Sequence, residues 1–320
     1  MRRTPAGRFT ASGVRYLERH KGEVNCCAFS PDFHFLLTCS DDGRVHLWSA
    51  QSGRLLAKAK GHTGPVKCCA FSPDRALFAS ASHDRSVRLW RTVTAGCLRV
   101  LAGHRRCVET VCFSPDGRWL LSGGWDQEAI LWDVQTAEIV KVFSAHKGAI
   151  QCSAFSLDSQ YVATGSWDST VKVWGVHRTE EQERTLQGHH GNVSCVCFSG
   201  SGPLASGSWD RTVRVWLPWD GTPLFTLGHR GWVRCLAFSQ DGAVLASVAE
   251  GDVVTFCCHI HVSVTCPIQG HRDSTFGCSF TPSGALLAAG AADSTWGVEA
   301  SRQEEEHSLQ SKRPDRSTID

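Results

Sequence analysis

Short runs of alternating apolar and polar residues recur along the chain, and turn-forming residues separate them. In the stretch after His62, residues 66–71 alternate with period two, which predicts that Val66, Cys68 and Ala70 share one face of a β-strand. Turn sequences and three further apolar runs follow before the next His. The predicted strands of this unit are 66–71, 76–82, 87–90 and 97–102.

The same arrangement repeats about every 42 residues, and each unit begins at a His that usually follows Gly. These histidines are His20, His62, His104, His146, His189, His229 and His271, with spacings of 42, 42, 42, 43, 40 and 42. A period of this length with a Trp near the end of each unit is typical of a β-propeller, in which each repeat forms one four-stranded blade.

Three further positions recur at fixed distances from the His in the first five repeats. An Asp follows the His by 22 residues, or by 21 in the fifth repeat, a Ser or Thr precedes the Asp by four residues, and a Trp follows it by six. The five sets are His20, Thr38, Asp42 and Trp48; His62, Ser80, Asp84 and Trp90; His104, Ser122, Asp126 and Trp132; His146, Thr164, Asp168 and Trp174; and His189, Ser206, Asp210 and Trp216.

A His, an Asp and a Ser within one unit also match the composition of a hydrolase triad. Five copies at one spacing favour a structural network instead, because a catalytic site is asymmetric and occurs once. The sequence also lacks a Gly-rich phosphate loop, an isolated carboxylate pair and a spaced metal-ligand motif. We therefore expect no catalytic residues and no enzymatic activity.

Together these residues resemble the WD-repeat (WD40) family over nearly the whole chain. In that family the His, Asp, Ser/Thr and Trp of one blade form a buried, hydrogen-bonded tetrad. The resemblance implies an all-β fold, a seven-bladed β-propeller closed by an N-terminal strand that pairs with the last blade. Residues 13–19, just before His20, suit that strand.

The sixth repeat departs from the tetrad pattern. It keeps His229 and Ser247, but Gly251 and Cys257 stand where the Asp and the Trp are expected. Asp252 is a substitute after a shift of one residue.

The seventh repeat is the poorest match. It keeps His271 and Asp293, but Ala289 replaces the hydroxyl residue and Glu299 stands at the Trp position, while Trp296 comes three residues early. The third strand of this repeat is therefore only weakly predicted. Because ring closure depends on this repeat, we expect it to be the least stable sector.

The repeats leave room for one domain with short tails. Residues 1–12 are predicted to be a disordered basic N-terminus, residues 13–299 a single propeller, and residues 300–320 a disordered charged tail. The first residues are basic without a following apolar segment, and no run of 18 apolar residues occurs. We expect a soluble chain that is not exported, with the cytoplasm as the default location and the nucleus as the alternative.

The chain contains 16 cysteines but no Cys-x-x-Cys pair. Five of them follow the His of their repeat by six residues, where an inner strand needs small apolar side chains. These are Cys26, Cys68, Cys152, Cys195 and Cys235. We interpret them as core residues and expect no disulfide framework, no metal and no cofactor.

The resemblance places the residue before each Asp and the residue five after each His around the channel mouth on the narrower top face. The first set is Asp41, His83, Trp125, Trp167, Trp209 and Ala292. The second set is Asn25, Lys67, Glu109, Gln151, Ser194, Arg234 and Phe276. Three adjacent blades thus present Trp, with Trp232 near them, and exposed Trp is favoured at binding hot spots. In the alternative interpretation each indole simply packs over its neighbouring blade.

These residues lead to a hypothesis of a non-enzymatic protein-interaction scaffold. The predicted partner-binding residues are Trp125, Trp167, Trp209, Trp232, His83, Lys67, Glu109, Gln151, Arg234 and Arg105. Eight basic side chains against three acidic ones follow the histidines, so the expected ligand is an acidic or phosphorylated peptide with an apolar side chain on the Trp cluster. We expect protein or peptide partners within a larger complex, no small-molecule substrate, no membrane contact and a monomer in their absence.

Nucleic-acid binding through the top-face Arg and Trp residues is the alternative function. Lys plus Arg total 33 against 31 acidic residues, a formal charge of +2, which provides no global attraction to phosphate.

Overall fold

Described residues of this chain fall into β-strands and their connections. The computed structural model describes residues 19–177, 183–239, 242 and 244–249, together with the backbone of the strands in 252–257, 262–267, 275–280, 286–291 and 296–300. Within these ranges, no helix has the length and apolar character required to span a membrane.

Each sheet is an antiparallel meander in which strands adjacent in sequence pair with each other. The first three sheets contain β1 (Val24–Phe29), β2 (Phe35–Ser40), β3 (Arg44–Ser49) and β4 (Leu55–Lys60); β5 (Val66–Phe71), β6 (Leu77–Ser82), β7 (Ser86–Arg91) and β8 (Cys97–Ala102); and β9 (Val108–Phe113), β10 (Trp119–Gly124), β11 (Ala129–Asp133) and β12 (Ile139–Phe143).

The next three sheets repeat this order. They contain β13 (Ile150–Phe155), β14 (Tyr161–Ser166), β15 (Val171–Gly175) and β16 (Glu183–Leu186); β17 (Val193–Phe198), β18 (Leu204–Ser208), β19 (Thr212–Leu217) and β20 (Thr222–Gly228); and β21 (Val233–Phe238), β22 (Val244–Ala249), β23 (Asp252–Cys257) and β24 (Val262–Pro267). The last described sheet has three strands, β25 (Thr275–Phe280), β26 (Leu286–Ala291) and β27 (Trp296–Ala300).

The apolar core lies between neighbouring sheets. The second strand of each described repeat carries small and apolar residues on both faces, as in β6, where Phe78, Ala79 and Ala81 are fully buried. A strand covered on both faces needs such a sequence, because each face packs on a different sheet. The repeat Trp on the third strand is also buried, and Trp90 stacks on Phe78. Burial of these large rings contributes much of the hydrophobic stabilisation.

The first strand of each repeat contains a β-bulge one residue after its start. In β1 the register passes from Val24 opposite Ser40 to Cys26 opposite Cys39, so Asn25 has no partner in the ladder. In the corresponding bulges, the residues without a partner in the ladder are Lys67, Glu109, Gln151, Ser194, Arg234 and Phe276. A bulge redirects its extra side chain, and these residues are the ones predicted to surround the channel mouth.

The first strands of successive sheets also contact one another. Contacts run from β1 to β5, β9, β13, β17, β21 and β25 in turn, and β25 and β26 contact β1. Among the described residues, the series of contacts between first strands therefore runs from β1 to β25 and from β25 back to β1.

The prediction of an all-β chain built from repeated four-stranded antiparallel sheets is confirmed. The prediction of strict alternation over 66–71 is wrong. The bulge at Lys67 shifts the pattern, so that Cys69 and Phe71 are buried while Cys68 and Ala70 stay half-buried. The weakly predicted third strand of the last repeat is formed as β27. Most of the predicted closing strand 13–19, namely 13–18, lies outside the described residues, as do the tail 1–12 and residues 301–320 of the tail 300–320. The prediction that the disordered tail starts at residue 300 is wrong, because Ala300 pairs with Leu286 as the last residue of β27.

Candidate functional site

The five predicted sets of His, Ser/Thr, Asp and Trp each come together at the same end of a sheet. Each His Nδ1 lies 2.7–3.0 Å from the Asp Oδ2, and each His Nε2 lies 2.7–2.8 Å from the Ser or Thr hydroxyl. The Trp Nε1 donates to the same hydroxyl at 2.8–3.0 Å. The Asp also accepts the backbone N–H that follows the His, as Arg105 N–H shows at 2.9 Å from Asp126.

The donors and acceptors of this network agree with a neutral His. Indole N–H can only donate, so the hydroxyl accepts from Trp and donates its own hydrogen to His Nε2. His Nδ1–H then donates to the carboxylate. The hydroxyl side chains of Ser80, Ser122 and Ser206 are fully buried, so they are not available as nucleophiles, and the network joins a loop to a strand.

Burial and hydrogen bonding set the protonation states of the tetrads. Burial raises the pKa of Asp42, but hydrogen bonds from His20 and the Lys21 N–H outweigh this effect and bring it to about 2. The pKa of Asp84 and of Asp210 is likewise about 2. Burial lowers the pKa of His62, and its bond to Asp84 only partly opposes the shift. These groups are therefore ionised Asp and neutral His at neutral pH.

The sixth repeat retains half of this network. Ser247 Oγ lies 2.8 Å from His229 Nε2. The substitute Asp252 and the seventh-repeat positions lie outside the described side chains. Those positions are His271, Ala289, Ala292, Asp293, Trp296 and Glu299, together with Phe276.

Four tryptophans form a continuous row, which we call the tryptophan row: Trp125, Trp167, Trp209 and Trp232. Their ring centroids are separated by 4.9, 6.0 and 5.0 Å in that order, and the last pair is stacked at 10°. Trp125, Trp167 and Trp232 are 37–39% exposed, and Trp209 is half-buried. Each indole thus packs on its neighbour and still presents part of its surface to solvent. The packing expected in one interpretation of the sequence and the exposure expected in the other therefore occur together.

The bulge residues hold the tryptophan row in place. Trp125 Nε1 donates to Glu109 and Trp167 Nε1 donates to Gln151, both at 2.6 Å. The Arg234 guanidinium lies 5.6 and 5.3 Å from the ring centroids of Trp209 and Trp232, within cation–π range.

Other predicted binding residues join this surface on the side of the first two repeats. His83 Nε2 lies 2.7 Å from Glu109, so Glu109 links His83 to Trp125. Lys67 forms an ion pair with Asp41 at 2.7 Å. Arg105 is exposed in the loop that Asp126 holds, but its side chain takes no part in the ring contacts or hydrogen bonds described here.

Basic side chains flank the tryptophan row. Arg105, Arg106, Lys147 and Arg230 follow the histidines, are exposed, and form no ion pair with another residue of the described ranges. The loops of Arg105 and Lys147 are bonded through Asp126 and Asp168 to the loops of Trp125 and Trp167. The surface therefore combines aromatic area with positive charge.

His46 is a buried polar residue that sequence reasoning missed. Its ring stacks on His20 at 3.8 Å, and neither ring nitrogen has a hydrogen-bond partner among the described residues. Burial is the main cause that lowers the pKa of His46 to about 3, and the neighbouring His20 adds an electrostatic contribution in the same direction. No signal of this burial is present in the sequence, because the corresponding position of other repeats holds charged residues such as Arg88 and Lys172. In the structure His46 stands opposite the tetrad residue Thr38.

Comparisons with known families agree with this architecture. Residues 23–184, about half of the chain, match the family model described as the IFT122 first beta-propeller. Residues 180–216, 221–259 and 260–298 match the model described as WD domain, G-beta repeat. The chain belongs to the WD40-repeat β-propeller family, whose members generally act as protein-interaction scaffolds and are generally non-enzymatic.

Individual relatives match over short stretches. The chain is 54% identical over 54 residues to mouse (Mus musculus) WD repeat-containing protein 38, covering 17% of this chain and 18% of that protein. It is 50% identical over 48 residues to the human (Homo sapiens) protein of that name, covering 15% of each. Human WD repeat, SAM and U-box domain-containing protein 1 is 46% identical over 41 residues, 13% of this chain and 9% of that protein. The matches span less than a fifth of each relative's length.

Proposed function

We propose that this chain is a non-enzymatic scaffold that binds protein or peptide partners on the surface containing the tryptophan row. The observation that carries the proposal is the packing of four adjacent, partly exposed indoles into one continuous surface. Large rigid rings bury much area at little cost in side-chain entropy, which suits a binding hot spot.

The proposed ligand is an extended acidic or phosphorylated peptide within a larger complex. An apolar side chain of the peptide would lie on the tryptophan row, and its anionic groups would meet Arg105, Lys147 and Arg230. The exposure of these cations and the absence of described ion pairs to them support this choice. Arg and Lys form charge-assisted hydrogen bonds with carboxylate and phosphate groups.

The experiment is a selection from a random peptide library with the purified full chain. We expect enrichment of peptides in which an apolar residue is flanked by Asp or Glu. A triple variant, Trp125→Ala, Trp167→Ala and Trp209→Ala, is expected to weaken binding of the selected peptides by at least about tenfold, as loss of hot-spot residues does. The triple variant is expected to remain folded, because its three indoles lie at the surface.

Trp219→Ala is the matched control, because Trp219 is 45% exposed and packs on Tyr161 away from the tryptophan row. We expect this variant to bind peptide like the native chain. Equal binding by the native chain and the triple variant would reject the proposed surface. Preferential binding of a single-stranded oligonucleotide, with affinity that falls steeply between two salt concentrations, would replace peptide recognition by nucleic-acid recognition.

We also propose a seven-bladed ring over residues 13–299, with residues 13–19 as the fourth strand of the last sheet. The return of the contacts from β25 and β26 to β1 supports this arrangement. The sequence patterns support disordered tails over 1–12 and 301–320, and a monomer without partners. A cytoplasmic location is supported by the free thiol state of all described cysteines, which a reducing compartment favours. Microscopy of the tagged chain tests that location.

A further inference from the structure

Three cysteine thiols from three strands converge between the first and second sheets. Cys26 on β1 and Cys39 on β2 are partners in the strand register, and Cys69 on β5 packs against them. The Sγ atoms of these three residues all lie within 4.8 Å of one another. Cys39 and Cys69 are buried, whereas Cys26 keeps part of its surface accessible.

This cluster is a departure from the repeat. The residues at the same register positions of the next four sheet pairs are Cys68, Ala81 and Val111; Thr110, Gly123 and Ser153; Cys152, Gly165 and Val196; and Cys195, Gly207 and Leu236. Each of these sets has at most one sulfur. Core packing is satisfied by Ala, Gly, Val or Leu there, so packing alone does not require three thiols.

We propose that Cys26, Cys39 and Cys69 form a three-thiolate binding site for copper(I). Soft thiolates select Cu(I), Zn(II) or iron–sulfur clusters. Structural zinc is almost always held by four ligands and iron–sulfur clusters by four cysteines. Among the described residues, the group whose ligand atoms all lie within 4.8 Å of one another contains three sulfurs, which fits the lower coordination number of Cu(I). The Cys68 thiol also neighbours Cys26, but it lies outside this group and its Sγ is 3.5 Å from the Val111 carbonyl oxygen on the third sheet.

The geometry requires little rearrangement. Three sulfurs about 4 Å apart surround an ion at a metal–sulfur distance of about 2.3 Å, and the present separations of up to 4.8 Å are close to this. Binding breaks S–H bonds, releases the protons to solvent and forms copper–sulfur bonds with no change in oxidation state.

The test is titration of the reduced full-length chain with Cu(I) in competition with a chromogenic Cu(I) chelator. We expect one tight site per chain, with three sulfur neighbours by X-ray absorption and an affinity that rises with pH as protons are displaced. Cys39→Ala, which introduces the residue of the second repeat, is expected to weaken this site by at least about tenfold. Cys69→Val, which matches Val111, gives a second variant if the first unfolds.

Cys195→Ala is the control, because Cys195 has the strand position of Cys26 in a repeat without the other two thiols. We expect it to bind Cu(I) like the native chain. Equal Cu(I) affinity in the native chain, Cys39→Ala and Cys69→Val would overturn the proposal. A cluster that prefers Zn(II), or that forms a Cys26–Cys39 disulfide without binding copper, would also overturn it.

Discussion

His46 is an isolated polar residue in a position that tolerates several side chains. The corresponding residues of the next four repeats are Arg88, Ile130, Lys172 and Arg214. Arg and Lys are long enough to reach past the core, as Lys172 does toward Thr185 at 2.9 Å. His is too short to do so, and its ring stays buried on His20 without a hydrogen-bond partner in the described part of the chain.

Stability is therefore expected to fall in mild acid because of His46. The ordinary pKa of 6.5 applies to the unfolded chain and the folded value is about 3, so the unfolded state binds the extra proton between these values and stability decreases as pH falls. From pH 7.5 to pH 5, the native chain is expected to lose about 2 kcal/mol more unfolding free energy than His46→Ile. Denaturant unfolding at both pH values measures this difference.

Replacement of the exposed His34 by Gln serves as the control and is expected to leave the pH dependence unchanged. Ile is the residue of the third repeat and is fully buried there, so His46→Ile is expected to fold. Parallel pH dependence in the native chain and His46→Ile would show that His46 is not the responsible group.

The tetrads could be predicted from the sequence, whereas His46 and the thiol cluster could not. Fixed spacing within one repeat brings His104, Ser122 and Asp126 together through local hairpins. His46 lies in a strand position where charged residues are also found, so residue type did not show that it is buried. Cys39 and Cys69 meet only when two sheets pack, and no local spacing rule detects such a contact.

At the level of elements, each tetrad joins the loop before the first strand to the loop between the second and third strands. In the third repeat, Asp126 accepts from both His104 Nδ1 and the Arg105 N–H. Each of these five repeats is therefore a sheet in which the loop before the first strand is hydrogen-bonded to the loop between the second and third strands.

Asp126→Ala is expected to lower the unfolding free energy by about 1–3 kcal/mol, because His104 loses its acceptor inside the protein. Thermal or denaturant unfolding measures the loss. Asp126→Asn keeps one side-chain oxygen as an acceptor and is expected to be milder. An unchanged unfolding midpoint in Asp126→Ala would exclude a stabilising role for this network.

The bulges show where prediction of single elements failed. Period-two alternation in 66–71 predicted a regular strand, and the residue that breaks it, Lys67, looks ordinary within one repeat. The signal becomes visible only when repeats are compared, because Asn25, Lys67, Glu109 and Gln151 place a polar residue at the same point of an apolar strand. The top-face position of these residues stays a prediction from family resemblance, and the bulge shows that each of them leaves the strand ladder.

For the whole molecule, closure of the proposed ring would depend on the segment before His20. The last described sheet has three strands, and its strands β25 and β26 contact β1. Closure of a ring removes unpaired strand edges, which otherwise favour association with other chains.

Deletion of residues 1–18 is expected to lower the melting temperature by several degrees, since it removes most of the proposed fourth strand of the last sheet. Deletion of residues 1–12 alone is the matched control and is expected to have no effect. Calorimetry measures both, and light scattering detects association of the longer deletion. Equal melting of the two deletions would contradict closure by residues 13–19.

The register slip at the start of each described repeat places one residue outside the strand ladder. Because the extra residue belongs to no ladder pair, its identity is not constrained by the ladder, and Asn, Lys, Glu, Gln, Ser and Arg all occur there. Their side chains are instead tied to the neighbouring loops, as Glu109 is to Trp125 and Lys67 is to Asp41. A combinatorial library over these sites is therefore expected to change the arrangement of the proposed binding surface while leaving the strand ladders in place.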